Sequence, residues 1–414
     1  MPEFQPVRGT HDLLPDEFRR HRHVVEIARA VAERYGFAEI ATPILEFTEV
    51  FARSMGETSD VVSKEMYSFV DKGGEALTLR PEYTAGICRA FISNGLAQSV
   101  PLKLFAHGPM FRFERPQKGR QRQFHQIDIE VIGAPEPAAD VEVIAVAADI
   151  LRSLGILDRC TLELNSLGDG ESRQSYRQAL VAYLERHRAK LSEDSLRRLA
   201  KNPLRILDSK DPGDREVVAS APLLQDHFND AARNFFAAVQ AGLAALDIPF
   251  RVDPRLVRGL DYYTHTAFEF VTDALGAQGT VLAGGRYDGL IEQLGGPPTA
   301  GIGWAGGIER LAMLADDPPA PRRPVALVPI GEAAEAAALK LAQALRRSGL
   351  AVELAYKGNV GRRLKRADRL KAACAVLLGE SELARGVATV KDLESGAQEE
   401  VPLDRLEQRF AHLR

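Results

Sequence analysis

The chain has 414 residues, of which 45% are hydrophobic and 27% charged, and its formal net charge is −4. That length calls for about two to four domains, and the composition is that of an ordinary globular protein. The slight acidic excess excludes nucleic-acid binding by bulk charge, so any such contact must rest on local basic patches.

The three cysteines, Cys88, Cys160 and Cys374, lie too far apart for a disulfide framework or a zinc site. No run is long and apolar enough to cross a bilayer. The opening MPEFQPVRGTHDLLPDE lacks an apolar signal core. A reducing, cytoplasmic location with no membrane contact is expected.

The first 35 residues read as an extended lead-in and a helix. Asp16 is the expected cap, Phe18, Val24, Val25, Ile27, Ala28, Val31 and Ala32 the apolar face, and Gly36 the stop. Short strand-like runs follow, EIATPILEF and EALTLRPE, then a helix TAGICRAFISNGLA with Thr84 at its N-cap. LKLFAHGPMF and QFHQIDIEVIG bracket a basic loop, giving strand, loop, strand. Residues 138–154 have helical period and end at Gly155, and CTLELNSLG is a strand.

From Gly168 to Asp247 charged residues and alanines alternate at helical spacing and strand signals vanish, which predicts a helical insertion. Strands resume with FRVDPRLVRGLDYYTHTAFEFVT. GTVLAGGRYDGLIEQLGG predicts a tight Gly-rich turn into a helix, and GIGWAGGIERLAMLA a strand or Gly-rich turn entering a second one. DDPPAPRRP is a Pro-rich linker. Beyond it, strands alternate with helices, as in a small α/β domain with a mainly parallel sheet.

The basic loop is the richest chemical signal. Arg112, Arg115, Lys118, Arg120 and Arg122 surround the single acid Glu114, with Phe124 at the exit. Guanidinium and ammonium groups on such a loop suit a polyphosphate, and Phe124 suits a base. A solvated basic hairpin would read the same way. In IDIEVIG the alternation sets Asp128 and Glu130 on one face and the isoleucines on the other, and the acidic face belongs either to solvent or to a pocket. GIGWAG fits the dinucleotide fingerprint G-x-G-x-x-G, but EQLGGPPTA before it reads as a loop rather than the required strand, so that reading is rejected. Gly284, Gly285 and Gly289 are expected either to let backbone approach a substrate or to form a plain turn. The run KGNVGRRLKRADRLK gathers Arg362, Arg363, Lys365, Arg366, Arg369 and Lys371. A solvated helix face is the ordinary explanation of such a run.

Taken together, LTLRPEYTAG, FRFERPQKGRQRQFHQ, LVRGLDYY, AGGRYDGL and GIGWAGGIERL, in this order, resemble the histidyl-tRNA synthetases of bacterial type, which are class II aminoacyl-tRNA synthetases. GFAEIATPILE is similar to motif 1, with Pro43 as its proline, FRFERPQKGRQRQFHQ to motif 2 and GIGWAGGIERL to motif 3. N-terminal RGTHDLLP and C-terminal GESELARGVATVKDL extend the likeness over essentially the whole chain.

The resemblance implies an α+β catalytic domain built on an antiparallel sheet (residues 1–167 and 248–316), a helical insertion (168–247), a linker (317–324) and an α/β anticodon-binding domain (325–414). It implies ATP-dependent activation of L-histidine to the adenylate, then transfer to the 3′ end of tRNA(His), by a homodimer. In such a reaction the substrate carboxylate is the nucleophile, so the protein supplies position and positive charge rather than a reactive Ser or Cys. By resemblance, Arg112 contacts the α-phosphate and the carboxylate. Arg258 acts from the opposite side like a fixed cation, although an ion pair with Asp261 is its plain alternative. Arg310 and Arg120 hold the γ-phosphate end, Glu114 reads the adenine amino group, and Phe124 stacks on the ring. Glu130 and Tyr263, with Tyr262 beside them, match the positions that hold the imidazole. Glu82, Thr84 and Gln126 match those that hold the α-amino group.

Arg115, Gln117 and Lys118 of the loop, and Arg362, Arg363, Lys365 and Arg366 of the last domain, are the expected tRNA contacts. The helical insertion is expected at the acceptor arm. Mg²⁺ is expected with ATP, to neutralise the phosphates, and no protein-bound zinc. Tyr83 and Phe113 depart from the family pattern, in which glycine and histidine are common at those positions. Members differ in requiring an additional 5′ guanosine on the tRNA. A non-catalytic regulatory subunit of ATP phosphoribosyltransferase is the alternative, although the retained Arg112, Glu114, Arg120 and Arg310 and the full C-terminal domain argue against it. A kinase-fused sensor of uncharged tRNA is excluded by the lack of kinase motifs.

Overall fold

The computed structural model describes residues 4–56, 59, 61–117, 119–207, 209–257 and 262–414. The chain forms two compact units, Met1–Pro318 and Pro319–Arg414.

The first unit opens with α1 (Pro15–Arg34). Leu14 precedes it and no side chain caps it; Pro15 at the first turn fixes the helical φ and has no N–H to satisfy, so Asp16 is not the cap. The buried stripe is His21, Val24, Ala28, Val31 and Ala32. Phe18, expected in that stripe, is exposed; the stripe begins one turn later with a histidine. Then come β1 (Ala38–Glu39), β2 (Leu45–Phe47), α2 (Thr48–Met55), β3 (Tyr67–Val70), β4 (Ala76–Leu79), α3 (Thr84–Ser93), β5 (Leu102–Phe111), β6 (Gln123–Ile132), α4 (Pro137–Ser153) and β7 (Thr161–Ser166).

Between Gly168 and Asp247 the described residues contain no strand. They form α5 (Gly170–Arg186), α6 (Glu193–Lys201), α7 (Pro212–Ala219) and α8 (Asp230–Ala245). The chain returns through β8 (Arg251–Val252), β9 (Thr264–Val271), β10 (Thr280–Arg286), α9 (Leu290–Gln293), β11 (Gly301–Gly307) and α10 (Ile308–Leu314).

Eight strands make the main sheet in the order β1-β5-β6-β11-β10-β9-β7-β8. All pairs are antiparallel except the edge pairs β1/β5 and β7/β8. A separate antiparallel sheet runs β2-β4-β3. Strand alternation sorts β6 between two cores. Ile127, Ile129 and Val131 enter the core built with α1 and α4, while the even positions face the side of α3. Trp304 donates its indole N–H to Val143 O at 2.9 Å and pins α4 to β11.

Of the two Gly-rich segments, the first is a strand where a tight turn is expected, and the second takes the strand alternative. Gly284 and Gly285 lie within β10, and GIGWAGG is β11 itself. A Cβ on Gly284 would sit 2.1 Å from Gly303 O, and one on Gly285 2.5 Å from Thr266 O. These glycines therefore admit neighbouring backbone rather than a ligand, while Gly289 has ample room. Among the described residues no helix is long and apolar enough to cross a membrane.

The second unit carries β12 (Val325–Pro329), α11 (Glu332–Arg347), β13 (Val352–Leu354), α12 (Val360–Arg369), β14 (Cys374–Leu378), α13 (Glu380–Arg385), β15 (Val387–Asp392), β16 (Gln398–Pro402) and α14 (Leu406–Arg409). Its sheet runs β13-β12-β14-β15-β16. Only the β12/β13 and β12/β14 pairs are parallel. The β15–β16 hairpin makes the other half antiparallel, so the sheet is mixed rather than mainly parallel.

Candidate active site

A cavity of about 220 Å³ opens between the loop joining β5 to β6, the strands β9 to β11 and the start of α10. Arg112, Glu114 and Arg120 from the loop, Phe124 and Gln126 from β6, and Glu82 and Thr84 at the entry to α3 all line it. Tyr262 and Tyr263, just before β9, and Arg310 of α10 complete the predicted set along its wall. Arg258 and Lys118 lie outside the described residues.

The cationic wall has defined supports. The Arg112 guanidinium donates to Pro81 O at 2.9 Å and lies 5.3 Å from the Phe124 ring centroid. Arg310 donates to Gly119 O at 3.1 Å and to Thr280 O at 2.6 Å, tying α10 to the loop and to β10. Gly119 has φ +72, a conformation that glycine adopts without strain. Burial and then the charge of Arg120 lower the affinity of Arg310 for its proton, with Glu114 acting against them. Arg120 stands 2.7 Å from Glu114 Oε2. The pair lacks hydrogen-bond alignment, which leaves Glu114 Oε2 a buried acceptor without a hydrogen-bonded partner.

The opposite end is acidic. Glu82 is buried and accepts from Ala85 N at 2.9 Å, and burial raises its pKa. Thr84, expected as an N-cap, instead begins α3 behind Tyr83 and donates its hydroxyl to Glu130 Oε1 at 2.5 Å. Glu130 is fully buried, and it also accepts from Tyr287 OH. It does not line the cavity itself but stands behind Thr84, which does. Burial raises its pKa to about 8. Asp128, two residues before, is fully buried with both carboxylate oxygens unpartnered, and burial pushes its pKa well up. The acidic face of β6 is thus buried behind the cavity and not a solvated edge. Gln126 adds a buried, unpartnered amide oxygen.

The glycines of β11 make this possible. Gly303 pairs with Glu130 across the sheet, and a Cβ there would lie 1.7 Å from Glu130 Oε2. A Cβ on Gly301 would lie 2.1 Å from the Tyr287 ring. Tyr262 and Tyr263 pack at 4.6 Å between ring centroids, and Tyr262 meets Tyr287 edge-on at 5.9 Å. The helical insertion reaches this corner, since Arg173 of α5 donates to Tyr263 O at 2.9 Å and His265 stacks on Phe235 of α8 at 4.5 Å.

Sequence reading missed Tyr287, Glu309 and the wall Thr280–Ala283, although AGGRYDGL and ERL contain the first two. Tyr83 and Phe113 stay off the cavity. Tyr83 is buried, with its hydroxyl accepting from Arg80 at 2.9 Å, and Phe113 lies under the Arg122 guanidinium at 3.9 Å. Of the expected tRNA contacts, Arg115 and Gln117 are exposed on the loop, and Arg362 and Lys365 are exposed on α12. Arg363 is a correction. It is buried and donates to Pro329 O and Glu335 Oε1, both at 2.6 Å, so it joins α12 to β12 and α11 rather than facing a nucleic acid. Arg366 is half-buried and bonds Glu353 at 2.5 Å.

Residues 9–311 match the histidyl-tRNA synthetase family, and residues 324–413 match the anticodon binding domain. Histidine–tRNA ligase of Rhodospirillum rubrum is 64% identical over 413 residues, covering 99% of both chains. That of Gluconacetobacter diazotrophicus is 61% identical over 404 residues, covering 98% of this chain and 97% of the relative. The crystal structure of apo S. aureus histidyl-tRNA synthetase superposes with a TM-score of 0.84 at 36% identity, over 99% of this chain and 100% of that one. With relatives this close over the full length, and the motif residues gathered at one cavity, the chain belongs to the histidyl-tRNA synthetase family.

Proposed function

We propose that the cavity activates L-histidine with ATP and then charges tRNA(His). The observation that carries this reading is the convergence of Arg112, Arg120 and Arg310, drawn from segments nearly 200 residues apart, beside a buried acidic pocket. A histidine carboxylate oxygen attacks the α-phosphorus of ATP, the bond to the β-phosphate oxygen breaks, and pyrophosphate leaves. A 3′-terminal ribose hydroxyl of the tRNA then attacks the carbonyl carbon, its proton is lost, and AMP leaves.

Arg112 lies between the two ends of the cavity, where it serves both carboxylate and α-phosphate, while Arg120 and Arg310 serve the distal phosphates. Such charges, held in place before the reaction, stabilise the transition state without reorganising. Mg²⁺ accompanies ATP and neutralises the phosphate oxygens. Glu114 Oε2, a buried acceptor, suits the adenine amino group, and Phe124 suits the ring. Glu82 and Gln126 offer acceptors to the α-ammonium. Glu130, set through Thr84 and Tyr287, suits the imidazole N–H. A pocket that satisfies a polar side chain in this way rejects apolar ones, because the buried groups would be left unpaired.

Arg258 opposite Arg112 remains part of the proposal by resemblance. So do the tRNA contacts at Arg115, Gln117, Lys118, Arg362, Lys365 and Arg366, the 168–247 insertion at the acceptor arm, and the cytoplasmic location. A homodimer through the motif 1 region accords with the exposed apolar Ile44, Leu45 and Phe47 beside Pro43. The regulatory-subunit alternative is not favoured, because the relatives matched over the whole length are histidine–tRNA ligases.

The test is histidine-dependent exchange of pyrophosphate into ATP, followed by charging of a tRNA(His) transcript. Histidine binding with no exchange would return the regulatory reading. Arg112→Ala should abolish exchange while the protein stays folded.

A further inference from the structure

On the far side of β6 from the acidic pocket, three potential ligands meet; Glu309 also lines the active-site cavity, but the proposed reaction gives none of the three a role. His125, in phase with Ile127 and Ile129, points toward α1, where His21 holds the first place in the buried stripe. Glu309 reaches in from α10. One ligand atom from each of His21, His125 and Glu309 can be chosen so that all lie within 4.8 Å of one another. We propose that these three side chains form a binding site for a transition-metal dication of the Zn²⁺ or Co²⁺ type, separate from the Mg²⁺ that accompanies ATP. The proposal goes beyond the ligase reading and does not depend on it.

The donor set carries the choice of ion. Two imidazoles and one carboxylate are the ligands of three-residue zinc sites that keep a fourth position open. Imidazole suits Zn²⁺, Co²⁺ and Ni²⁺, whereas Mg²⁺ demands oxygen ligands. Around a tetrahedral ion, ligand atoms stand about 3.4 Å apart, so the set, now within 4.8 Å, would have to draw together by little more than an ångström.

The second observation is the supporting hydrogen bonds. Both Glu309 oxygens accept from His125 N, at 2.9 and 3.0 Å, and His125 Nδ1 lies 2.8 Å from Glu309 Oε1. The carboxylate is thereby held beside the ring by the β6 backbone N–H, and the Nδ1–Oε1 contact gives way when both groups turn to one ion. The His21 ring is only 6% exposed, meets His125 edge-on at 5.6 Å between centroids, and forms no hydrogen bond among the described residues. A buried imidazole without such a partner is a donor waiting for an acceptor, or a lone pair waiting for a cation.

The third observation is room. His21 and Glu309 line a cavity of about 470 Å³, with His11 and Glu17 at its rim. Water or a fourth ligand can enter there. Arg20 lines the same cavity, but its charge is paired with Asp317. A bound ion would join α1, β6 and α10, and α10 carries Arg310. The sequence gives no hint of this, because the three ligands lie 104 and 184 residues apart along the chain.

The experiment uses untagged full-length protein stripped with chelator. Co²⁺ is titrated while visible absorption is recorded, and Zn²⁺ is then added to displace it. One equivalent should bind with the strong bands of low-coordinate Co²⁺, and a hundredfold excess of Mg²⁺ should not displace it. His21→Phe, which fills the same volume, and His125→Gln, which keeps the backbone N–H to Glu309, should each weaken binding on the order of 100-fold. Their metal-free melting temperatures should match that of the parent. Failure of the parent to bind one equivalent, or parental affinity in both variants, overturns the proposal; binding in that second case would belong to the cysteines or to surface histidines. If either variant unfolds, Glu309→Gln replaces it under the same criteria.

Discussion

Tyr287 donates its phenolic hydrogen to Glu130, which also accepts from the hydroxyl of Thr84. Thr84 forms the cavity wall, and Glu130 and Tyr287 stand behind it, so a buried carboxylate is positioned from two sides before substrate arrives. Once bound imidazole draws Glu130 into its charged form, hydrogen bonds to it contribute about 1.5–3 kcal/mol each. Tyr287→Phe should therefore lower kcat/KM for histidine roughly tenfold to a hundredfold in the exchange assay, with the KM for ATP little changed. A variant with unaltered histidine kinetics would remove this pair from amino-acid recognition.

Glu130 also sets a pH dependence of stability. Burial raises its pKa from 4.5 to about 8 in the substrate-free protein. Between those values the folded chain holds a proton that the unfolded chain has released. Stability contributed by this group is complete below the unfolded value and is lost as pH rises through the folded one. Glu130→Gln should flatten the fall in unfolding free energy between pH 6 and pH 9. Urea titrations of both proteins at the two pH values measure it, and parallel pH profiles would contradict the assignment.

Gly303 is the counterpart of Glu130 across the sheet. A methyl group there would overlap Glu130 Oε2 and lie 2.5 Å from Ile129 O. Overpacking of this kind costs about 1–3 kcal/mol. Gly303→Ala should lose stability in that range and lose histidine-dependent exchange to a greater extent than Gly289→Ala, whose site has room. Equal behaviour of the two variants would mean that β11 yields easily.

Arg286 and Asp140, each fully buried, hold β10 to α4, and Arg286 also donates to Ala134 O at 3.0 Å. Removing one partner of a buried ion pair strands the other and costs about 3–5 kcal/mol. Asp140→Asn should be destabilised by that order in chemical denaturation, while Asp158→Asn, an acid of the same fold unit outside any ion pair among the described residues, should change little.

The contrast of Arg362 with Arg363 separates charge from architecture. Arg363→Ala should lower the unfolding temperature of the second unit, since two buried hydrogen bonds are lost. Arg362→Ala should leave stability alone and weaken tRNA binding, with a shallower dependence on salt. Equal melting temperatures in the two variants would place Arg363 on the surface after all.

Much of the site was legible because its chemistry is written in charged residues at fixed motif positions. Arg112, Glu114, Phe124 and Arg310, all named from those motifs, line one cavity. Properties that depend on a partner far along the chain were not legible. Thr84 resembles an N-cap until Glu130, 46 residues on, claims its hydroxyl. Gly284 and Gly285 resemble a turn, because a glycine needed for approach by Gly303 or Thr266 backbone looks no different from one needed for a bend. Arg363 looks solvated within a basic run, yet one face of α12 is buried, and periodicity among charged residues does not reveal which. Phe18 and His21 exchanged expected places because the register of a helix stripe depends on what packs against it. The C-terminal hairpin escaped because a run of parallel strand-helix units suggests another of the same kind.

Arg173 reaches from the helical insertion to the carbonyl of Tyr263, and Phe235 braces His265 two residues later. The helices between Gly168 and Asp247 are therefore a buttress for the aromatic corner and not a detachable appendage. Splicing Leu167 directly to Ile248 would leave every strand of the large sheet in place, yet it would take away the Arg173 hydrogen bond and the Phe235 brace beside the tyrosine pair. On the proposed function, histidine binding should suffer from that loss before nucleotide binding does.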